Sequence, residues 1–183
     1  SYNGRNLDIS QLTQVHLDVS NNTGIFLTYG QSNAANAGEP GYNPSLEVYQ
    51  FLLGDTFKYQ EPSLGVNGRG SSIWGMVGDK LIKSGANESV IFSNCGYGGK
   101  SIEQLIEGIH FNYLVINYKM LLKKYGRVDA ILFHQGEQNA KDFKNYYNKF
   151  SLFLENLTDE EINIPIYLAR ASYCGGIESP ELL

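Results

Sequence analysis

No apolar run in the sequence approaches the length that crosses a bilayer, so a membrane-spanning helix is excluded. The start, Ser1-Tyr2-Asn3-Gly4, lacks the basic-then-apolar pattern of a signal peptide, as a processed product also would, and the compartment stays open. There is no basic run either: net charge is -5 with both signs interspersed, which argues against a phosphate-tracking surface and a nucleic-acid partner. Two cysteines, Cys95 and Cys174, are too few for a disulfide framework. Their neighbours offer no paired Cys/His spacing for zinc, so both read as free or buried thiols and no metal or other cofactor is expected. Only three histidines are present, His16, His110 and His134, which restricts the choice of any general base. Low-complexity segments and internal repeats are also missing. What remains, with 42% hydrophobic and 18% charged residues, is the composition of one globular domain over residues 1–183, with small molecules or glycans as partners.

The chain is organised around Phe26-Leu27-Thr28-Tyr29-Gly30-Gln31-Ser32-Asn33. A short apolar run bounded by turn residues, 24–29, predicts a strand buried on both faces, followed at once by a sharp turn that presents Ser32. Ser and Asn also suit plain turn and cap positions, so the local pattern alone leaves Ser32 open between nucleophile and cap. Further strands are predicted at 89–94, 130–133 and 164–169. Helices are predicted at 71–84, 102–125 (weakened by Gly108) and 143–154. Residues 36–70, rich in Gly, Pro, Asn and Tyr, read as a surface excursion with a possible hairpin across Gly54-Asp55. Strands alternating with helices imply βαβ units, and the fold class is α/β, a three-layer α/β/α sandwich with a parallel sheet.

Three predicted strand ends carry polar, Gly-rich turns: Gly30-Gln31-Ser32-Asn33, Gly98-Gly99-Lys100-Ser101 and His134-Gln135-Gly136-Glu137. In a parallel sheet these ends open onto one edge, where ligand sites form. Ser32, the Gly99 N–H and the Gln135 side-chain amide can therefore converge although distant in sequence. Acyl transfer needs such a set: a hydroxyl to attack a carbonyl, and donors fixed where the oxyanion develops.

In order and separation, Gly30-Gln31-Ser32-Asn33, Gly98-Gly99-Lys100-Ser101-Ile102 and His134-Gln135-Gly136-Glu137 resemble three sequence blocks of the SGNH hydrolase superfamily, in its sialate O-acetylesterase and acetyl xylan esterase-like branch. The resemblance spans roughly residues 24–169. It implies a flavodoxin-like sheet, Ser32 as nucleophile, Gly99 and Gln135 as oxyanion-hole residues, and metal-free removal of O-acetyl groups from an acetylated carbohydrate or other small ester. Two departures stand out. Gln138-Asn139 matches the family only in part, and no His follows Ala169, where relatives carry the Asp-x-x-His that supplies the base and its orienting acid.

None of the three histidines is an evident substitute. His134 alternates away from Gln135, His110 lies in a helical stretch, and His16 precedes the first strand. Glu137 is expected to brace the turn and Lys100 to be solvated. Arg170 and Tyr173, just past the fourth predicted strand, are expected to touch substrate. The domain is accordingly expected to be completed by a C-terminal fragment or second chain that brings Asp and His. Competing readings are a catalytically inactive glycan-binding module on the same fold, an SGNH esterase of broader acyl specificity, and a nucleotide binder. The last fails because Gly96-Tyr97-Gly98-Gly99 has neither dinucleotide nor P-loop spacing.

Overall fold

A computed structural model describes residues 3–39, 41–139 and 142–170. Its strands are β1 (Gln14–Val15), β2 (Thr23–Gly30), β3 (Val48–Leu52), β4 (Asp55–Lys58), β5 (Ser89–Asn94), β6 (Ala130–His134) and β7 (Ile166–Leu168). Helices α1 (Trp74–Lys83), α2 (Ile102–Leu105), α3 (Gly108–Tyr125) and α4 (Phe143–Asp159) alternate with them, with short 3₁₀ turns at Ser32–Ala34 and Glu137–Asn139. The strands form one seven-stranded sheet in the order β1-β4-β3-β5-β2-β6-β7. From β3 to β7 every pairing is parallel; β4 runs antiparallel to β3 and to β1 at one edge. The fold is mixed α/β on a mostly parallel sheet.

β2 lies between β5 and β6 because nearly every one of its residues is buried and only a central strand can use two apolar faces. Alternation then divides the core. Ile25, Leu27, Tyr29, Tyr49, Phe51, Ile91, Ile131 and Phe133 pack with Leu105 of α2, Leu114 of α3 and Phe153 of α4. Phe26, Val48, Val90, Phe92 and Leu132 pack with Trp74, Val77 and Leu81 of α1. Each fully buried large side chain contributes about 2 kcal/mol relative to exposure, as an upper estimate.

The hairpin is present, its two-residue turn at Leu53-Gly54 with φ of 52° and 95°, as a primed turn requires. Its place corrects the expectation of a surface excursion over 36–70. β3 is buried throughout and pairs in parallel with β5, inside the sheet. The expected helix over 102–125 is two helices, divided before Gly108, whose φ is 67°. The helix expected over 143–154 continues to Asp159.

The buried face of α1 is not a simple apolar stripe. Ile73 is exposed, whereas Trp74, Gly75, Gly78 and Asp79 are buried. Asp79 accepts hydrogen bonds from Tyr42 Oη (2.7 Å), Ser45 N (3.0 Å), Ser45 Oγ (3.1 Å) and Leu46 N (3.0 Å), fixing the segment that enters β3. Burial pushes its carboxyl up, but the donors from Ser45, Tyr42 and Leu46 outweigh that and hold it below the ordinary carboxylate value. A depressed folded-state value means the contribution is present above the unfolded value of about 4 and is lost as pH falls through the folded one. Asp79→Asn is expected to cost about 3 kcal/mol at neutral pH and to flatten the acid limb of the stability profile. Urea denaturation at pH 7 and pH 3 checks this; an acid slope equal to wild type would contradict it.

Candidate active site

The end of β2 is stitched to both neighbours. Gln31 N donates to the His134 carbonyl at 3.1 Å, and the Gly30 carbonyl accepts from Tyr97 N at 2.8 Å. Gly30 has φ 134°, and a side-chain carbon there would collide with the His134 carbonyl. Only glycine lets the strand end approach β6 this closely. The chain then closes a 3₁₀ turn through Ala34 N to the Gln31 carbonyl (2.9 Å) and Ala35 N to the Ser32 carbonyl (3.0 Å). Trp74 packs against Phe92 and also donates from Nε1 to the Ala34 carbonyl at 3.2 Å. The turn that carries Ser32 is therefore braced from the sheet and from α1.

The Gly98-Gly99 turn lies against it. A Cβ built on Gly98 would be 3.7 Å from Ser32 Cα. Gly99 has φ 75° with nothing within 4 Å of its own Cβ position, so it answers to backbone conformation and not, as close approach would have it, to crowding. Neither the Ser32 N–H nor the Gly99 N–H has an acceptor among the described residues. Backbone donors without partners beside a hydroxyl are what an incoming oxyanion would use.

Gln135 is brought to the same edge but faces inward. It is 3% exposed, and its Nε2 meets Asn139 Oδ1 at 2.8 Å, Gln31 Oε1 at 3.2 Å and the Lys100 carbonyl at 3.5 Å. Gln31 Oε1 also accepts from Gln138 N (3.2 Å), and Asn139 Oδ1 from Ile102 N (3.0 Å). These bonds lock the ends of β2 and β6 and the start of α2 together. Gln138-Asn139, the partial match in the sequence, thus holds the turn internally.

Glu137 accepts from the Asn33 side chain and lies 3.4 Å from His134 Nε2. Burial raises its carboxyl, but the His134 contact, its own N–H and Asn33 together hold it below the ordinary value. A carboxylate so held is a weak base and a good brace. Three buried atoms of this turn, His134 Nδ1, Gln135 Oε1 and Glu137 Oε2, have no hydrogen-bond partner among the described residues. Clusters of unsatisfied buried polar atoms call for a functional reason.

No hydrogen bond joins Ser32 to a histidine among the described residues. His110 is buried against Tyr97, its Nδ1 3.3 Å from Arg5 Nη2; burial first, then the cations Arg5 and Lys100, push it down to about 4. His16 is exposed at the β1 edge. Arg170 is exposed, just past β7, with Ala169 N bonded to the Phe133 carbonyl at 2.8 Å. It shares the sheet edge with Ser32 but is two strand spacings, about 10 Å, to the side. Tyr173 and Cys174 lie outside the described residues. Cys95 is a buried free thiol pushed up to about 12 by burial, an unreactive state.

Two supports were invisible in sequence. Arg5, 1% exposed, donates to the carbonyls of Gly65 (2.7 Å), Gly96 (2.8 Å) and Cys95 (3.1 Å), and so pins the approach to the Gly98-Gly99 turn. Asn67, in the Gly-rich segment before α1, accepts from Gly98 N at 2.7 Å. Beside Ser32 a cavity of about 220 Å³ is lined by Asn33, Glu39, Tyr42, Ser71, Ile73 and Met76, among others. Hydroxyls, a carboxylate and two exposed apolar side chains suit a small polar ligand with an apolar face.

No curated protein matches the sequence. Among solved structures, the crystal structure of an Arabidopsis thaliana protein superposes with a TM-score of 0.67 at 18% identity, covering 85% of this chain and 76% of that one, a likeness of fold alone. The family description "carbohydrate esterase, sialic acid-specific acetylesterase" matches residues 22–173, from the start of β2 past the end of β7. With its sheet, its Ser32 turn and this match over most of its length, the chain belongs to the sialic acid-specific acetylesterase family of carbohydrate esterases.

Proposed function

We propose that the protein is a serine carboxylic-ester hydrolase that removes O-acetyl groups from a carbohydrate through an acyl-enzyme on Ser32, on a three-layer, flavodoxin-like arrangement. The observation that carries this reading is that neither the Ser32 N–H nor the Gly99 N–H has an acceptor among the described residues, on two turns that meet at Gly98, and that Ser32 lines a cavity. Ser32 Oγ attacks the acetyl carbonyl while a base takes its proton, and the carbonyl π electrons move onto oxygen, to which the two N–H groups donate hydrogen bonds. Collapse breaks the bond to the sugar oxygen, which leaves with the proton from the base. Water then attacks acetyl-Ser32 by the same route and releases acetate. Gln135 holds the ends of β2 and β6 in register at the site, and Arg170 and Tyr173 would meet an outlying part of the sugar.

The base in this proposal is the His of an Asp-x-x-His segment supplied from outside residues 1–183, because none of His16, His110 or His134 is bonded to Ser32. The same fact favours a second reading, an inactive glycan-binding module. Serine-directed fluorophosphonate separates them. Active material is expected to label on Ser32, and residues 1–183 alone to label at a small fraction of that rate. Enzymatic turnover by residues 1–183 alone would sink the external base and return His134 to consideration; binding of acetylated glycan with no labelling in any preparation would establish the module.

A further inference from the structure

The family match starts at residue 22, yet the segment before it is stitched to the edge of the sheet that carries the site. Asn6 N donates to the Val66 carbonyl (2.8 Å), and Gly65 N returns a bond to the Asn6 carbonyl (2.7 Å). Asn6 Nδ2 reaches the carbonyls of Pro62 (2.9 Å) and Ser63 (3.2 Å). Arg5, anchored on the carbonyls of Gly65, Cys95 and Gly96, lies over the Tyr113 ring at 3.9 Å. Its Nε–H has no acceptor among the described residues.

This segment and residues 60–69 enclose a cavity of about 480 Å³, larger than the one of about 220 Å³ beside Ser32. Arg5, Asp8, Gln11 and Leu12 line it from one segment, and Gln60, Pro62 and Arg69 from the other. The side chains of Gln11, Gln60 and Arg69 make no hydrogen bond or ion pair with a described residue. Asp8 uses one carboxylate oxygen on Ser10 N, at 2.9 Å. Glu61, also in the lining, is turned to its own loop and accepts from Ser63 N (2.9 Å), Ser72 N (3.0 Å) and Tyr59 Oη (3.1 Å). What is left for a ligand is one cation, one carboxylate and two amides beside the apolar surface of Leu12 and Pro62. The charges balance, and donors alternate with acceptors, as the hydroxyls and C–H face of a neutral sugar require.

Residues 67–71 form the ridge between the two cavities: Arg69 lines the larger, Ser71 and Ser72 the one at Ser32. Arg69 and Ser71 are two residues apart, at most about 7 Å even in extended chain, a span that adjoining units of a glycan can bridge. The ridge is bonded to the chain that follows Ser32, through Asn36 N to the Asn67 carbonyl (3.0 Å), Gly70 N to the Asn36 carbonyl (3.0 Å) and Gly38 N to the Ser71 carbonyl (2.9 Å). Between Asn67 and Ser71 only Arg69 carries a side chain, since Gly68 and Gly70 flank it.

We propose that the larger cavity is a subsite for the neutral sugar units that adjoin the acetylated one, with Arg69 as its specificity-determining residue. The substrate is then an oligosaccharide and not a free monosaccharide. The position of the acetylated unit rests on the reading of Ser32 given above; sugar binding in the larger cavity does not.

Titration of isotope-labelled protein with xylotetraose and, separately, with sialyllactose, neither carrying an O-acetyl group, reads binding without catalysis. At least one of them is expected to shift the amide signals of residues 4–12 and 60–69 saturably. Arg69→Ala should raise its Kd about tenfold, the loss of a hydrogen bond from a charged donor, and leave the unfolding temperature within a degree or two. In active protein the same variant should raise KM for the O-acetylated form of that oligosaccharide about tenfold and leave hydrolysis of p-nitrophenyl acetate unchanged. No shifts at these residues with either probe at millimolar concentration, or a Kd unaltered by Arg69→Ala, would overturn the proposal. An equal loss on p-nitrophenyl acetate would overturn it too, because Arg69 would then act at Ser32 itself. If sugar binds at these residues while esterase activity survives Ser32→Ala, the reading of Ser32 fails and the subsite stands.

Discussion

Ser32→Ala is expected to reduce hydrolysis of acetyl esters by about 10⁴-fold or more, toward the level left by the oxyanion donors and binding alone. The same variant should unfold within a degree or two of wild type. Both halves follow from one geometry. The Ser32 hydroxyl makes no hydrogen bond to a described residue, so its loss breaks nothing that holds the fold. The turn is held instead by main-chain bonds from Ala34 and Ala35, by Trp74 Nε1 and by the junction with His134. Activity and stability, measured on the same preparations, check the pair of statements. Loss of both together would make Ser32 a structural residue.

Gly30→Ala is expected to have the largest effect on stability, about 4 kcal/mol or more, because two penalties coincide. The residue has φ 134°, where an L side chain is strained, and its added carbon would meet the His134 carbonyl, the acceptor for Gln31 N. Relieving that clash means parting β2 from β6 at the end that carries the site. For a domain whose whole stability is about 5–15 kcal/mol, a loss of this size unfolds a substantial share of molecules at moderate denaturant. Gly99→Ala makes the control. It too has positive φ, at 75°, but nothing lies within 4 Å of its Cβ position, so about 1 kcal/mol is expected. Urea midpoints for the two variants test the contrast; equal losses would mean that the Gly30 junction relaxes freely.

β2, β5 and β6 were legible because short apolar runs ending in Gly-rich turns have few alternatives in an α/β chain. β3 was recognised as a strand and misplaced. Gln50 in its middle reads as a surface residue, and only long-range contacts reveal that its amide is satisfied by Leu64 N (2.9 Å) and the Gln60 carbonyl (3.2 Å) and can be buried. Likewise α1 buries Asp79 and two glycines where a periodic reading prefers Val77 and Ile82, because donors from residues 42–46 reward a carboxylate there. That the turns carrying Ser32, Gly99 and Gln135 lie at one edge of the sheet follows from the rule that parallel strand ends open the same way. The direction in which Gln135 points does not, since it depends on Gln31 and Asn139. Arg5 and Asn67 act on residues 90 and 31 positions away, and neither carries a local pattern of its own. The one available signal for Asn67 was its Gly-rich surroundings, Gly65-Val66-Asn67-Gly68-Arg69-Gly70, the same kind of turn chemistry that marks the other strand ends.

The central claim is an acetyl group carried on Ser32 between the two halves of the reaction. Active protein mixed with p-nitrophenyl acetate, quenched in acid during turnover and mapped by peptide mass spectrometry, reads it directly. Acetylation confined to the peptide that holds Ser32, absent from Ser32→Ala, is the predicted result. A protein that turns over the ester with no acetyl on Ser32, or with the acetyl on another residue, would contradict it.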